Sequence, residues 1–310
     1  MKTARKILIT LCAVLTAVCF TGCVFNVNDY ENADQYNAGD FDTNCKITVL
    51  DINWTSGNVN ISYHDKETVA VTEHCDQQLD PSQKVQTWLE GTTLHVRYCK
   101  PGINFNLKNP KKDLDIRLPK ELKLDTLDCG CTTAAVTLND IAANSLNAEV
   151  TSGSLTLTGC SAKTLKMECT SGNITAEQKG SSDQITAQST SGAIRITAET
   201  AKAVAIKATS GDTEVRVQQC DTLSASGTSG GKTLHLASLP ASAEIEATSG
   251  NVNLFVPKNA DLTLSVNQTS GKFNSDLAFA IDGTSYTAGS GASKFSVETT
   301  SGNITVQEEP

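Results

Sequence analysis

Residues 146–157 read LNAEVTSGSLTL, residues 165–176 LKMECTSGNITA, residues 185–196 ITAQSTSGAIRI and residues 204–215 VAIKATSGDTEV. Laid on one another, the four segments superpose position by position. The tripeptide Thr-Ser-Gly recurs with its threonine at Thr55, Thr151, Thr170, Thr190, Thr209, Thr228, Thr248, Thr269 and Thr300. From Thr151 to Thr248 the steps are 19, 20, 19, 19 and 20 residues, and a degenerate copy, Thr132-Thr133-Ala134, lies 19 residues earlier. A fixed period of this length marks a stacked repeat architecture. The interval from Thr55 to Thr132 is close to four periods, with the sequence between them drifted.

Five residues before the threonine stand Leu127, Leu146, Leu165, Ile185, Val204 and Leu223. Three before stand Cys129, Ala148, Met167, Ala187, Ile206, Ala225 and Ile245, and one before stand Cys131, Val150, Cys169, Ser189, Ala208, Gly227 and Ala247. Polar residues such as Lys166, Glu168, Lys207, Glu244 and Glu246 alternate with them, so the segment reads as a strand with one face inward. Alternation resumes after the glycine with Leu155 and Leu157, Ile174 and Ala176, Ile194 and Ile196, and Val215 and Val217. Each unit is therefore expected to be two short strands with Thr-Ser-Gly at the corner. There glycine reaches positive φ, and the Asn or Asp that often follows (Asn58, Asn173, Asp212, Asn251, Asn303) favours the turn.

A two-strand unit cannot bury its apolar face alone, so the units must stack, like strand on like strand. The expectation is an all-β, right-handed parallel β-solenoid of 19–20 residues per coil. At about 4.8 Å per layer, seven to nine coils make a rod of roughly 35–45 Å. A narrow interior between facing sheets suits small and β-branched residues, in keeping with an aromatic content of only 5%.

The N-terminus carries a second signal. Lys2, Arg5 and Lys6 precede an apolar run from Ile7 to Phe20, then Thr21, Gly22 and Cys23. The run is shorter than the 18 or so residues of a spanning helix, and small residues before the cysteine complete an export signal. The order resembles a lipobox. The expectation is a signal peptide over 1–22 and a lipidated Cys23, whose two acyl chains anchor the mature protein to a membrane without crossing it. Residues 23–44 are polar and acidic and are expected to be a flexible lipidated tether. Residues 45–128 are expected to form the N-terminal part of the solenoid, with a capping insertion that includes a short helical stretch near Pro81–Glu90. Residues 129–310 are the regular repeat. The net charge of −9, more negative still once the three cationic residues of the signal are removed, speaks against a nucleic-acid partner.

Eleven cysteines in an exported chain would ordinarily suggest disulfides. The repeat register places Cys129, Cys131 and Cys169 inward, with Cys131 and Cys169 two coils apart, beyond the reach of a disulfide. Cys160 and Cys220, three coils apart at the opposite turns, are likewise expected not to pair. Cys75 and Cys99 end two strand-like runs and stand open as a pair. Cys129-Gly130-Cys131 reads as packing, with a metal or redox pair as its alternative.

No constellation for catalysis, cofactor or metal emerges. His64, His74, His95 and His235 are scattered without ligand spacing, and Gly230-Gly231 and Gly289-Ser290-Gly291 lie at corners and not before a helix. Asp113 and Asp115 alternate with Leu114 and Ile116 as a solvated strand face. The outward pair Glu244 and Glu246 sits on a single strand, with no recurrence on a neighbouring coil by sequence order.

Asp113-Leu-Asp-Ile-Arg-Leu-Pro119 matches Val252-Asn-Leu-Phe-Val-Pro257. Together with the Thr-Ser-Gly-x-(Val/Ile)-x-(Val/Ile) repeat and the ending Phe295–Val306, these motifs resemble a bacterial domain-of-unknown-function family catalogued under the name "putative adhesin", over roughly residues 45–308. The resemblance implies a β-solenoid at the bacterial surface, with some relatives associated with envelope-stress regulation, and no catalytic residues. The expected function is a non-enzymatic, adhesin-like or envelope-associated scaffold, anchored through Cys23 on the extracytoplasmic face of a membrane and touching an envelope or extracellular macromolecule. An envelope-stress sensing lipoprotein and a glycan-processing β-helix enzyme are the alternatives.

Overall fold

The computed structural model describes residues 30–103 and 110–309. The signal segment, Cys23 and the first residues of the expected tether lie outside them.

The repeat folds as a parallel β-solenoid. Leu165 pairs in register with Leu146 on one side and with Ile185 on the other, and the column continues through Val204, Leu223 and Ala243. A second column runs Cys129, Ala148, Met167, Ala187, Ile206, Ala225, Ile245. Past the corner, Val136, Leu155, Ile174, Ile194, Thr213, Lys232 and Val252 stack in the same way. The apolar members of these columns form one continuous buried core. Burial of each such aliphatic side chain contributes about 1.5–3 kcal/mol.

From Leu155 to Ser229 each coil is one long bent strand, whereas from Lys232 onward the coils are separate shorter strands, as expected. Leu155–Ser171 spans 17 residues and Ile174–Ser191 spans 18, broken only at the glycine corner. Register shifts around Cys160 mark the second bend, where the ladder irregularity lets the chain turn without ending the strand.

The glycine of each corner has a stricter reason than its dihedral alone. At Gly192 φ is +143°, and a Cβ would lie 2.0 Å from the Gly172 carbonyl oxygen of the preceding coil. At Gly172 the same overlap with the Gly153 oxygen is 1.9 Å. Main chains stack directly on one another here, so a side chain at these left-handed corner positions would collide with the preceding coil.

Both ends depart from sequential stacking. At the C-terminal end, Ser293–Ser301 pairs with Ser242–Ser249 on one side and with Leu262–Ser270 on the other. The last coil in sequence is thus inserted between the two before it. At the N-terminal end, Val49–His64 lies between Leu124–Asn139 and the layer made of Thr93–Arg97 and Asp113–Pro119. The Thr55 and Thr132 layers are therefore direct neighbours, with Ser56 opposite Thr133, and the 77 residues separating those threonines do not supply four coils.

Antiparallel strands close each end. Gln86–Glu90 pairs with Thr93–Arg97, and Val69–His74 with Asp113–Pro119. The residues near Pro81–Glu90 are accordingly a turn followed by a hairpin strand and not a helix. Gly91 turns the hairpin at φ +60°, and Trp88 stacks on His95 with ring centroids 5.2 Å apart. The tether expectation is corrected in part as well. Asn37–Ala38 pairs with Gln86–Thr87, Phe41–Thr43 with Val69–Val71, and Tyr36 is buried. At the far end Ser285–Ala288 covers the outer edge of Leu262–Ser265. These additions block the open parallel edges that would otherwise invite further pairing.

A fully buried lysine plugs the N-terminal end. The Lys112 ammonium sits 2.6 Å from the Glu73 carboxylate and donates to the carbonyls of Gln83 (2.7 Å) and Tyr98. Its charge lies 3.9 Å from the Tyr98 ring centroid and 5.1 Å from that of Trp54. Burial pushes its pKa down, and Glu73 opposes that shift.

Candidate binding surface

With all shape-determining residues inside, function must reside on corners and outer faces. The corner serines Ser152, Ser171, Ser191, Ser210, Ser229 and Ser249 form one exposed column at layer spacing, continued by Ser301 and Ser270. The residue after the glycine has a role that the turn argument did not supply. Asn173 Oδ1 accepts from the Ala193 N–H of the next coil (2.9 Å), Asp212 Oδ1 from Gly231 N–H (2.8 Å), and Asn251 Oδ1 from Asn303 N–H (2.9 Å). Asn303 does the same for Lys272, and Asp113 for Asn58. Side-chain oxygens thus cap main-chain donors across layers.

Two corner residues near the middle of the rod have no side-chain oxygen to give. Ala193 and Gly231 offer nothing to Asp212 and Asn251, and a groove of about 520 Å³ opens at these layers. Arg195, Asp212, Glu214, Thr233, Asn251 and Asn253 line it. Arg195 pairs with Glu214 at 3.5 Å, and Glu214 also holds Arg216 at 3.0 Å. The next outward column carries Arg216, His235, Phe255 and Gln307 in register. His235 and Phe255 stack face to face with centroids 4.4 Å apart, and His235 Nδ1 lies 3.0 Å from Glu309.

Beneath the groove, the apolar column is interrupted by Thr213 and Lys232, both buried. The Thr213 hydroxyl has no hydrogen-bond partner, and Lys232 donates only to the Gly230 carbonyl at 3.2 Å. Gly227 makes room for this lysine: a Cβ there would stand 2.8 Å from its Nζ. Burial pushes the Lys232 pKa down, partly opposed by Asp212.

A carboxylate cluster escaped the sequence because it depends on non-sequential stacking. Insertion of the last coil sets Glu298 directly opposite Glu246, one residue pair from Glu244. Partial burial, then Glu244 and Glu298, raise the Glu246 pKa. The one available signal was the shared Thr-Ser-Gly frame of Glu246 and Glu298, which puts both at the same corner offset.

The remaining candidates are dispersed. His64 Nε2 contacts the Thr68 carbonyl oxygen, His74 lies 3.1 Å from Asp115, and His95 lies 2.7 Å from Asp51. Cys129 and Cys131 are buried with their sulfurs 3.8 Å apart, and the Cys129 contact, then burial, pushes the Cys131 thiol well up. A thiol held protonated in this way is a poor nucleophile and a poor ligand. Cys75, Cys99, Cys160, Cys169 and Cys220 are free thiols as well.

Solved structures resemble the chain. A "putative adhesin" from Bacteroides fragilis shares 13% identity, with 87% of this chain and 96% of that one covered and a TM-score of 0.37. A "putative lipid binding protein" from Parabacteroides distasonis shares 12%, covering 88% and 97%, at a TM-score of 0.39. A "putative cell adhesion protein" from Clostridium sporogenes shares 12%, covering 88% and 100%, at 0.24. No curated protein matches. The family model described as Toastrack DUF4097 matches residues 47–307, nearly all of the layered rod and both closing ends, and the chain belongs to that family.

Proposed function

We propose that this protein is a lipid-anchored, non-enzymatic binding scaffold of the bacterial envelope, adhesin-like in that a stiff rod presents a recognition surface to a macromolecule outside the cell. The observation that carries the reading is the groove at the Ala193 and Gly231 corners: an open polar recess on an otherwise regular, rigid surface, the arrangement expected when a scaffold positions a site. Supporting it are the lipobox order ending in Cys23 and an acidic surface held off anionic lipid. Among the described residues no helix is long and apolar enough to cross a membrane.

In this reading residues 1–22 are removed, Cys23 carries the acyl chains, and the residues before Tyr30 link lipid to rod. Incorporation of a clickable palmitate analogue that is abolished by Cys23→Ser, with externally added protease cleaving the protein on intact cells, is the expected result. Undiminished labelling of Cys23→Ser, or a protein recovered wholly in the cytosol, would reject it. One observation favours a rival: Glu246 and Glu298 are adjacent carboxylates on the outer face. Glycan hydrolysis that is lost in Glu246→Gln would establish that rival, and its absence across wall and plant polysaccharides is the outcome expected here.

A further inference from the structure

The geometry points to the groove over Ala193 and Gly231 as a binding site for a neutral oligosaccharide, whose oxygens take the places of the two missing corner caps. This deepens the scaffold reading and rests on it.

The argument starts from the corner hydrogen bonds. At five corners an Asn or Asp oxygen meets the main-chain N–H of the equivalent residue one layer on, as Asn173 does for Ala193 and Asn251 for Asn303. At Ala193 and Gly231 the chain supplies a methyl group and a hydrogen, so the N–H groups of Asp212 and Asn251 receive no such oxygen. These two donors stand two layers apart, about 9.6 Å. The recess is lined between and beside them by further groups of both hydrogen-bonding senses: the amides of Asn251 and Asn253, the Thr233 hydroxyl, the Arg195 guanidinium, and the Asp212 and Glu214 carboxylates.

Charge selects the ligand class. Arg195 faces Glu214 at 3.5 Å and Asp212 faces the buried Lys232, so the charges around the groove are paired and favour neither an anion nor a cation. An apolar ligand would strip water from carboxylates and amides without replacing their hydrogen bonds. A neutral chain of hydroxyls, which donate and accept alike, meets the full set. The volume of about 520 Å³ falls within the range of small-ligand sites. Because the recess is shallow and wet, its affinity should be modest.

Gly231 supplies the test. Its φ is not in the left-handed region, and a Cβ there would meet nothing closer than 3.6 Å, so Gly231→Asn is compatible with the fold. The new side chain would place an oxygen on the Asn251 N–H and fill the groove. Full-length protein would be titrated with neutral tetrasaccharides built on glucose, mannose, galactose or N-acetylglucosamine, and with a uronic-acid tetrasaccharide, using calorimetry and NMR.

The expected result is binding of at least one neutral probe with Kd below about 1 mM. It should weaken tenfold or more in Gly231→Asn, whose thermal midpoint is unchanged or raised. Ala193→Asn should weaken binding in the same direction. No binding of any neutral probe, a preference for the uronic acid, or wild-type affinity in a folded Gly231→Asn would each overturn the inference. A protein that is acylated and surface-exposed yet binds no neutral probe would lose this inference and keep the anchored-scaffold reading.

Discussion

Replacing single glycines by alanine at three positions separates the reasons for which this chain uses glycine. At Gly192 two penalties combine. Its φ of +143° belongs to a region essentially closed to other residues, worth about 1–3 kcal/mol. The added Cβ would also lie 2.0 Å from the Gly172 oxygen, which is main chain and cannot rotate away. Relief requires neighbouring coils to separate, and that weakens the bonds from Gly192 N–H to the Ser210 carbonyl (3.0 Å) and from Gly172 N–H to the Ser191 carbonyl (2.9 Å). Each such bond contributes about 1 kcal/mol, so Gly192→Ala should cost about 3–5 kcal/mol. Gly180 has φ +72° and nothing within 4 Å, so Gly180→Ala should cost only the left-handed penalty of about 1–2 kcal/mol. Gly231→Ala, with ordinary φ and room for a methyl group, should be neutral or stabilising by up to about 1 kcal/mol. Urea unfolding followed by circular dichroism, with the transition checked for coincidence by a second probe, measures all three. Equal costs for Gly192→Ala and Gly180→Ala would refute the claim that main-chain stacking, and not φ alone, fixes the corner glycines.

Three further outcomes follow from the same structure. Lys232→Met removes a buried ammonium that has a single carbonyl acceptor, and should stabilise by about 1–2 kcal/mol near neutral pH. The folded pKa of Lys232 lies below the unfolded one, so between them the folded state has released a proton that the unfolded state keeps. Wild-type stability relative to Lys232→Met should therefore rise with pH as it climbs toward the ordinary lysine value, and a difference that stays flat over that rise would contradict it. Glu246 has its folded pKa raised, so its contribution is present below the unfolded value and is lost as pH climbs through the folded one. Glu246→Gln should raise Tm by about 1–2 °C at pH 7 but not at pH 4, measured by calorimetry. Because Ser293–Ser301 is paired on both sides, its amides should exchange with deuterium as slowly as those of Ile194–Ser210, despite their nearness to the C-terminus, and fraying there would contradict the inserted stacking.

Period and register carried most of the architecture into the sequence, because an inward residue must match the residue above it in every coil. Leu146, Leu165 and Ile185 share a column for this reason, and so do the inward thiols Cys131 and Cys169 on either side of Val150. What the sequence could not convey was the order of layers at the ends. A strand such as Ser293–Ser301 has the same apolar face whether it caps the rod or is inserted one layer in, so its pattern is silent on the choice. That silence concealed the meeting of Glu246 and Glu298. The residues near Pro81–Glu90 misled for another reason. Without the repeat as a guide, Gln86–Glu90 was too short to show its alternation, and its pairing with Thr93–Arg97 across Gly91 decided the strand. The corner Asn and Asp were legible as turn formers, whereas their reach into the next coil depends on layer contact that no local pattern encodes.

The site and the scaffold are separable because the solenoid divides its tasks by position. Inward columns and corner glycines tolerate little change, since each touches the layers above and below. The residue after the glycine contributes one cap across one interface, roughly 1 kcal/mol, and a neighbouring coil survives its loss. Ala193 and Gly231 are two such losses separated by a single layer, with the capped Gly231 N–H held by Asp212 between them. One lapse would leave a notch the size of a side chain. Two in alternate layers leave a groove long enough for a chain-like ligand, at a cost the rest of the rod absorbs. Restoring both oxygens, as in the double variant Ala193→Asn/Gly231→Asn, should therefore give a more stable rod with a closed surface. A double variant that was destabilised, or whose groove persisted in a solved structure, would show that the open corner serves the fold and not a ligand.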